Sequence, residues 1–255
     1  MAKKYSPAAY KRRNAKNRRK ANMEALWAAG FIPQEDSLGK MSDKQFNEFA
    51  ERLLELESKY DVSHGMGEGW WEQRENVNLW YEPINKEPET YWDRFNPTPD
   101  KDTYASVSYY PESHSRALTL NSALTQEELE AAHAGAVASG WLFSGGSTAT
   151  RDVVTHEYGH AVQVHIERAA GIRTAGTQLQ AAETARREIL NLAKNHGAAG
   201  DALRYNMSKY GATNPREFFA EAFVDAHSGK PGPIGKAMKD YLAIMKERGL
   251  LGGKR

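Results

Sequence analysis

From Ser147 or Thr148 to about Ala170 the chain reads as one long helix. Inside it lies Val153-Val154-Thr155-His156-Glu157-Tyr158-Gly159-His160-Ala161. At 3.6 residues per turn, positions four apart share a face, so the His156 and His160 imidazoles can converge on one metal ion. Glu157 stands one step round the helix, where it reaches a group bound to that ion without ligating it. Val153, Val154, Ala161, Val162 and Val164 surround the motif, as expected of a helix buried in an active site. Any fold that accepts this helix must bring further ligands to it from elsewhere in the chain.

The donor chemistry is bounded by composition. The chain contains no cysteine, so a zinc ion here would be held by histidines and carboxylates. Zinc so held lowers the pKa of a bound water to about 7 and polarises a scissile carbonyl. A neighbouring carboxylate, here Glu157, takes the proton of the water and hands it to the leaving amine. The expected reaction is peptide-bond hydrolysis by a metal-activated water.

A third ligand does not lie close by in sequence. A metzincin would need Gly at 163 and His at 166; those positions hold Gln163 and Ile166, and His165 falls on a different helix face. The alternative is an acid on a later helix. Ser208-Lys209-Tyr210-Gly211-Ala212-Thr213-Asn214-Pro215-Arg216-Glu217-Phe218-Phe219-Ala220-Glu221-Ala222-Phe223 supplies two. Asn214 suits an N-cap and Pro215 the first helical position. Glu217 and Glu221 then share one face, with Phe219, Ala222, Phe223 and Ala226 as the core stripe. Asn214-x-x-Glu217 also fits a capping box, in which Glu217 would serve only the backbone, and Glu221 could lie on a solvated face. Set among three phenylalanines, however, the two acids need buried partners. One can ligate while the other holds the free N–H of a ligand histidine.

The two stretches, His156-Glu-Tyr-Gly-His160-Ala-Val and Tyr210-Gly-x-Thr-Asn-x-x-Glu217-Phe-Phe-Ala-Glu221-Ala-Phe, resemble the lethal-factor-type zincin metallopeptidases. These are the catalytic domain of anthrax lethal factor and the related domains on some bacteriophage structural proteins. The resemblance covers about residues 100 to 230. It implies a zinc ion (Zn²⁺) on His156, His160 and Glu217, with Glu157 as base. It implies Tyr210 near the reacting oxygen, as oxyanion stabiliser or proton donor, and Glu221 behind the ligands. By the same analogy a strand over Arg116 to Asn121 is a candidate edge for binding an extended substrate through its main chain; the other reading is an ordinary strand, since the sequence does not tell which strand lies at the edge.

The expected fold is α+β and zincin-like: a small twisted sheet on the His156 helix, then a mainly helical C-terminal half. Four segments are expected. Residues 1–22 form a basic flexible arm, 23–60 a helical module, 61–100 an aromatic-rich connector, and 101–255 the metallopeptidase domain. Of the 34 Lys and Arg residues nine fall in the arm, which has no acid; the remaining 25 face 33 Asp and Glu. Two readings of residues 3–20 stand: nucleic-acid binding through phosphates, and a solubilising tail. The helical module has Met23 to Ala29 ending at Gly30, then a helix capped by Ser42 with Phe46, Phe49, Leu53, Leu54 and Leu56 on one face. The connector carries Trp70, Trp71, Trp80, Tyr81, Tyr91, Trp92 and Phe95. Tyr104 to Tyr110 and Arg116 to Asn121 read as a hairpin. Helices are expected from Thr125 to about Gly140, and over Gln178–His196, Ala199–Met207, Pro215–His227 and Ile234–Arg248.

The expected partner is a protein or peptide substrate. No apolar stretch is long enough to span a bilayer, and no apolar region follows the basic N-terminus as in a secretion signal. The expected location is the cytoplasm of the producing cell or a phage virion. Two rivals to an enzyme stand: a virion structural protein that keeps the zincin fold for assembly with other particle components while its arm touches nucleic acid, and a nucleic-acid-binding module whose arm is the main function.

Overall fold

Four strands make one sheet in the computed structural model, which describes residues 15–62, 77–86, 98–110, 115–198, 200 and 206–252. They are β1 (Phe31–Pro33), β2 (Val77–Glu82), β3 (Ala105–Tyr110) and β4 (Ser115–Asn121), in the order β1-β2-β4-β3. The expected hairpin is present: β3 and β4 pair antiparallel, with Ala105 opposite Leu120 and Tyr110 opposite Ser115. β2 runs parallel to β4 and β1 parallel to β2.

Three expectations change here. The aromatic connector contains a strand, because Val77, Leu79 and Tyr81 alternate inward with period two. The N-terminal helical module contributes β1 to the same sheet. And Arg116–Asn121 is not an edge: β4 lies between β2 and β3, so its main-chain groups are paired on both sides. The edges are β1 and β3.

Eight helices surround the sheet among the described residues: α1 (Ala15–Ala28), α2 (Glu35–Leu38), α3 (Asp43–Tyr60), α4 (Gln126–Ala138), α5 (Ala149–Ala169), α6 (Ala175–Lys194), α7 (Pro215–Ala226) and α8 (Pro233–Glu247). Their starts follow from short polar side chains that accept from free backbone N–H groups. Ser42 caps α3, Thr148 α5, Thr174 α6 and Asn214 α7, while Thr125 and Glu128 close a full capping box on α4.

α1 starts at Ala15, inside the segment expected to be a flexible arm. Two of its charges are engaged. Arg18 makes a bidentate pair with Glu51, at 2.6 and 2.8 Å. Arg19 reaches Asp43 at 2.9 Å and the Leu38 carbonyl at 2.6 Å. Buried Asn22 donates to Asn47 at 2.8 Å. Residues 1–14 lie outside the described residues, as do Trp70, Trp71, Tyr91, Trp92, Phe95 and most of the short helix expected over Ala199–Met207.

One hydrophobic core joins the segments that the sequence reading separated at residue 60. Phe46, Phe49, Leu53 and Leu56 of α3 share it with Val154, Tyr158 and Val162 of α5 and with Phe219 and Phe223 of α7. Buried polar contacts cross the same boundary. Arg52 Nε donates to Thr155 Oγ1 at 2.7 Å, and the Tyr158 hydroxyl donates to Glu57 at 2.7 Å. Each such large apolar side chain contributes about 1.5–3 kcal/mol by leaving water, so α5 is clamped on both sides. Among the described residues no helix is long and apolar enough to cross a membrane.

Candidate metal centre

α5 places His156 and His160 one turn apart, with ring centroids 4.9 Å from each other. α7 crosses it and delivers Glu217. Glu217 Oε2 lies 3.0 Å from His156 Nε2 and 3.4 Å from His160 Nε2. One ligand atom from each of the three residues falls within 4.8 Å of the others, so the group can hold a metal ion.

Local sequence explains why α7 arrives there. Asn214 Oδ1 accepts from the N–H groups of Arg216 and Glu217, at 2.9 and 3.1 Å, and Pro215 occupies the first turn. Phe218, Phe219 and Phe223 are fully buried and fix the rotation of the helix. Only the Asn214 half of a capping box forms; the Glu217 carboxylate turns to the histidines instead. Gly159 permits the close crossing. A Cβ built there would stand 3.1 Å from Ala220 Cα and 3.1 Å from Phe223 Cβ. Sequence reasoning did not single out Gly159. Its signal was available, since glycine inside a helix costs roughly 1 kcal/mol against alanine and wants a packing reason.

Glu221, one turn after Glu217, supports the ligands from behind. Its Oε1 lies 2.9 Å from His156 Nδ1, and its Oε2 accepts the Phe143 backbone N–H at 2.7 Å. Phe143 is a second contributor that the sequence did not reveal. The Glu221 contact sets the chemistry of the ring. With Nδ1–H donated to Glu221, a neutral His156 presents the Nε2 lone pair to the Glu217 carboxylate, and two lone pairs at 3.0 Å need a cation between them.

A proton is one solution. Burial opposes charge on His156, but hydrogen bonds to Glu217 and then Glu221 outweigh it and push its pKa up to about 10. The Glu217 carboxyl is held far below the usual range: its hydrogen bonds to His156 and His160 outweigh the burial that would raise it. A divalent ion is the other solution, and the donors fit it. Tetrahedral ligands about 2.0–2.1 Å from zinc stand roughly 3.3 Å apart, close to the 3.0 and 3.4 Å found here. Three carboxylates, Glu157, Glu217 and Glu221, surround two imidazoles, which leaves an excess of negative charge for a dication to balance.

Glu157 is buried, and that burial raises its pKa against the pull of His156 and His160. The backbone N–H of Val107, in edge strand β3, donates to it. Tyr210 stacks on His156, with centroids 5.7 Å apart and planes 25° from parallel, and hydrogen-bonds Glu217. Burial and then the Glu217 charge raise the pKa of its phenol, which keeps it a proton donor. The Tyr210 backbone is pinned by its N–H to the Trp141 carbonyl at 2.9 Å. His165 is buried elsewhere on α5 and does not join the ligand group.

A cleft of about 370 Å³ opens beside the group. His156, Glu157, Tyr210 and Glu221 line it together with Tyr104, Ala105, Leu142, Phe143, Val153 and Val224, and with His133 and Asp152. The predicted site residues therefore meet at one place beside this cleft; His160 and Glu217 complete the group with His156 without lining the cleft themselves. Comparison of the chain with protein-family models, curated proteins and solved structures finds no match.

Proposed function

We propose that this chain is a zinc-dependent endopeptidase of the zincin class. The observation that carries the reading is the triangle of His156, His160 and Glu217, with the buried carboxylate of Glu157 beside His156 where these two line a cleft. Bound by those three residues, zinc would supply Lewis acidity toward a peptide carbonyl and toward water.

The other steps belong to the chain. Glu157 accepts a proton from the attacking water as the oxygen–carbon bond forms, then returns it to the amide nitrogen as the carbon–nitrogen bond breaks. The Tyr210 phenol donates to the oxyanion of the tetrahedral carbon. Glu221 keeps His156 in the tautomer with Nε2 free to ligate. β3, rather than the β4 segment suggested by analogy, is the edge beside Glu157 on which an extended substrate would add as a further strand.

The test is cleavage of an unbiased peptide library by the zinc-loaded protein, beside Glu157→Gln. Wild type is expected to cut and to reveal its preferred sequence. Glu157→Gln is expected to keep the metal and lose roughly 10²–10⁴-fold in rate, the range that general-base catalysis supplies. Cleavage by the variant at the wild-type rate would remove Glu157 from the mechanism. An intact library with both proteins would shift weight to a structural role in a particle.

A further inference from the structure

A second cavity, of about 400 Å³, lies between α5, α6 and α8 and shares no lining residue with the cleft. Its walls include Ile166, Phe219, Tyr241 and Met245, all largely buried. Gln163 and Glu167 also line it, and they are 2 % and 4 % exposed. Both oxygens of Glu167 and both polar atoms of the Gln163 amide lack a well-formed hydrogen bond, although Gln163 stands near enough to Glu167 to lower its pKa. Buried groups of this kind are almost always paired, so four orphans in one cavity require an explanation.

Internal rearrangement does not supply it. If Gln163 turned its amide nitrogen to Glu167, the Gln163 carbonyl and the second carboxylate oxygen would remain unmet. Arg216 Nη2 stands 3.8 Å from Glu167 Oε2, beyond hydrogen-bond reach, so it screens the charge without satisfying it. Glu188 and Arg248, one charge of each sign, also line the cavity. The orphans are three acceptors and one donor. A primary ammonium offers three N–H donors and no acceptor, which matches the majority. A carboxylate or phosphate would face Glu167 with like charge.

We propose that this cavity is a second ligand site that takes a primary alkylammonium group, with the nitrogen on Glu167 and Gln163 and the alkyl chain against Ile166, Phe219, Tyr241 and Met245. It lies about 10 Å along α5 from His160, at 1.5 Å per residue, and it does not depend on the peptidase reading.

The full-length, metal-loaded protein is titrated calorimetrically with hexylammonium, 1-hexanol and hexanoate. Hexylammonium is expected to saturate one site, roughly ten- to a hundredfold tighter than hexanol, the range for hydrogen bonds to a charged group. Hexanoate is expected not to bind. Glu167→Gln keeps the side-chain shape and is expected to erase the preference for the amine while metal content is unchanged. Ala181→Leu, which narrows the cavity, is expected to weaken all binding there. A peptide with a single lysine distinguishes the sources: saturation by it assigns the site to a polypeptide side chain, and saturation by hexylammonium alone to a free amine. Three results overturn the proposal: no saturable binding, equal affinity for hexylammonium and hexanol, or an amine preference that survives Glu167→Gln.

Discussion

One face of α5 carries His156 and His160 and then, at the same helical spacing, Gln163 and Glu167. In the first half the polar groups meet complements from other elements. His156 sits between Glu221 and Glu217, His160 meets Glu217, and Glu157 is met by Val107. In the second half four polar atoms lack a well-formed hydrogen bond. Both halves bury polar chemistry on the same helix, so burial alone does not mark a metal centre. What marks it is a second helix whose acids arrive at the right height. α7 supplies Glu217 and Glu221 to the first half; to the second it supplies Phe219 and, at 3.8 Å, Arg216.

The comparison breaks most severely if α7 loses its acid. Glu217→Ala is expected to lower zinc affinity by more than about a hundredfold, read by competition with a chromogenic chelator, while the fold persists because Asn214 still caps α7. Retained affinity with only modest loss of stability would make Glu217 a helix-capping residue after all. Glu221→Gln comes next. It keeps a hydrogen bond to His156 but loses the charge, and is expected to cost roughly 10–100-fold in zinc affinity. An effect as large as that of Glu217→Ala would mean that Glu221 itself ligates.

Gly159→Ala sharpens the comparison through packing alone. The added methyl meets Ala220 Cα and Phe223 Cβ at 3.1 Å, so α7 must shift. Overpacking of this kind costs about 1–3 kcal/mol, against roughly 1 kcal/mol gained in helix propensity. We expect a net loss of about 1 kcal/mol in urea unfolding together with weaker zinc binding, since the acids move with α7. A variant more stable than wild type and equally avid for zinc would show that the crossing has slack.

The legible parts of this molecule were those written locally. The ligand helix, the Asn214-Pro215 start of α7 and the β3–β4 hairpin each depend on residues close in sequence, and each appears where the spacing put it. Pairing at long range was not legible. β1 has three residues, one of them proline, and joins the sheet only by lying parallel to β2, which is separated from it by the whole of α3. β2 carries its alternation through Val77, Leu79 and Tyr81, but intervening Trp80 masks the period. Edge position is a property of the finished sheet, so no local signal could decide whether Arg116–Asn121 lay at an edge. The site was readable for the opposite reason: helical spacing fixes which side chains share a face, and only the meeting of α5 and α7 had to be supplied by the fold.

The smallest effect tests the orphaned half. Burial raises the Glu167 carboxyl to about 7, against the pull of Arg216 and Gln163. An acid whose folded pKa lies above its unfolded one holds a proton in the folded state that the unfolded chain has released. That contribution to stability is full below the unfolded value of about 4.3 and is lost as pH rises through about 7. Glutamine has the shape of the protonated acid and does not titrate. Glu167→Gln is therefore expected to match wild type near pH 4 and to exceed it by up to about 1 kcal/mol at pH 8, where wild type carries a buried carboxylate. Urea midpoints at the two pH values measure the difference. A gap that does not widen with pH would mean that Glu167 has found a partner in solution. A gap that widens without amine and closes when hexylammonium is added at pH 8 would tie the cost of this carboxylate to the ligand that relieves it.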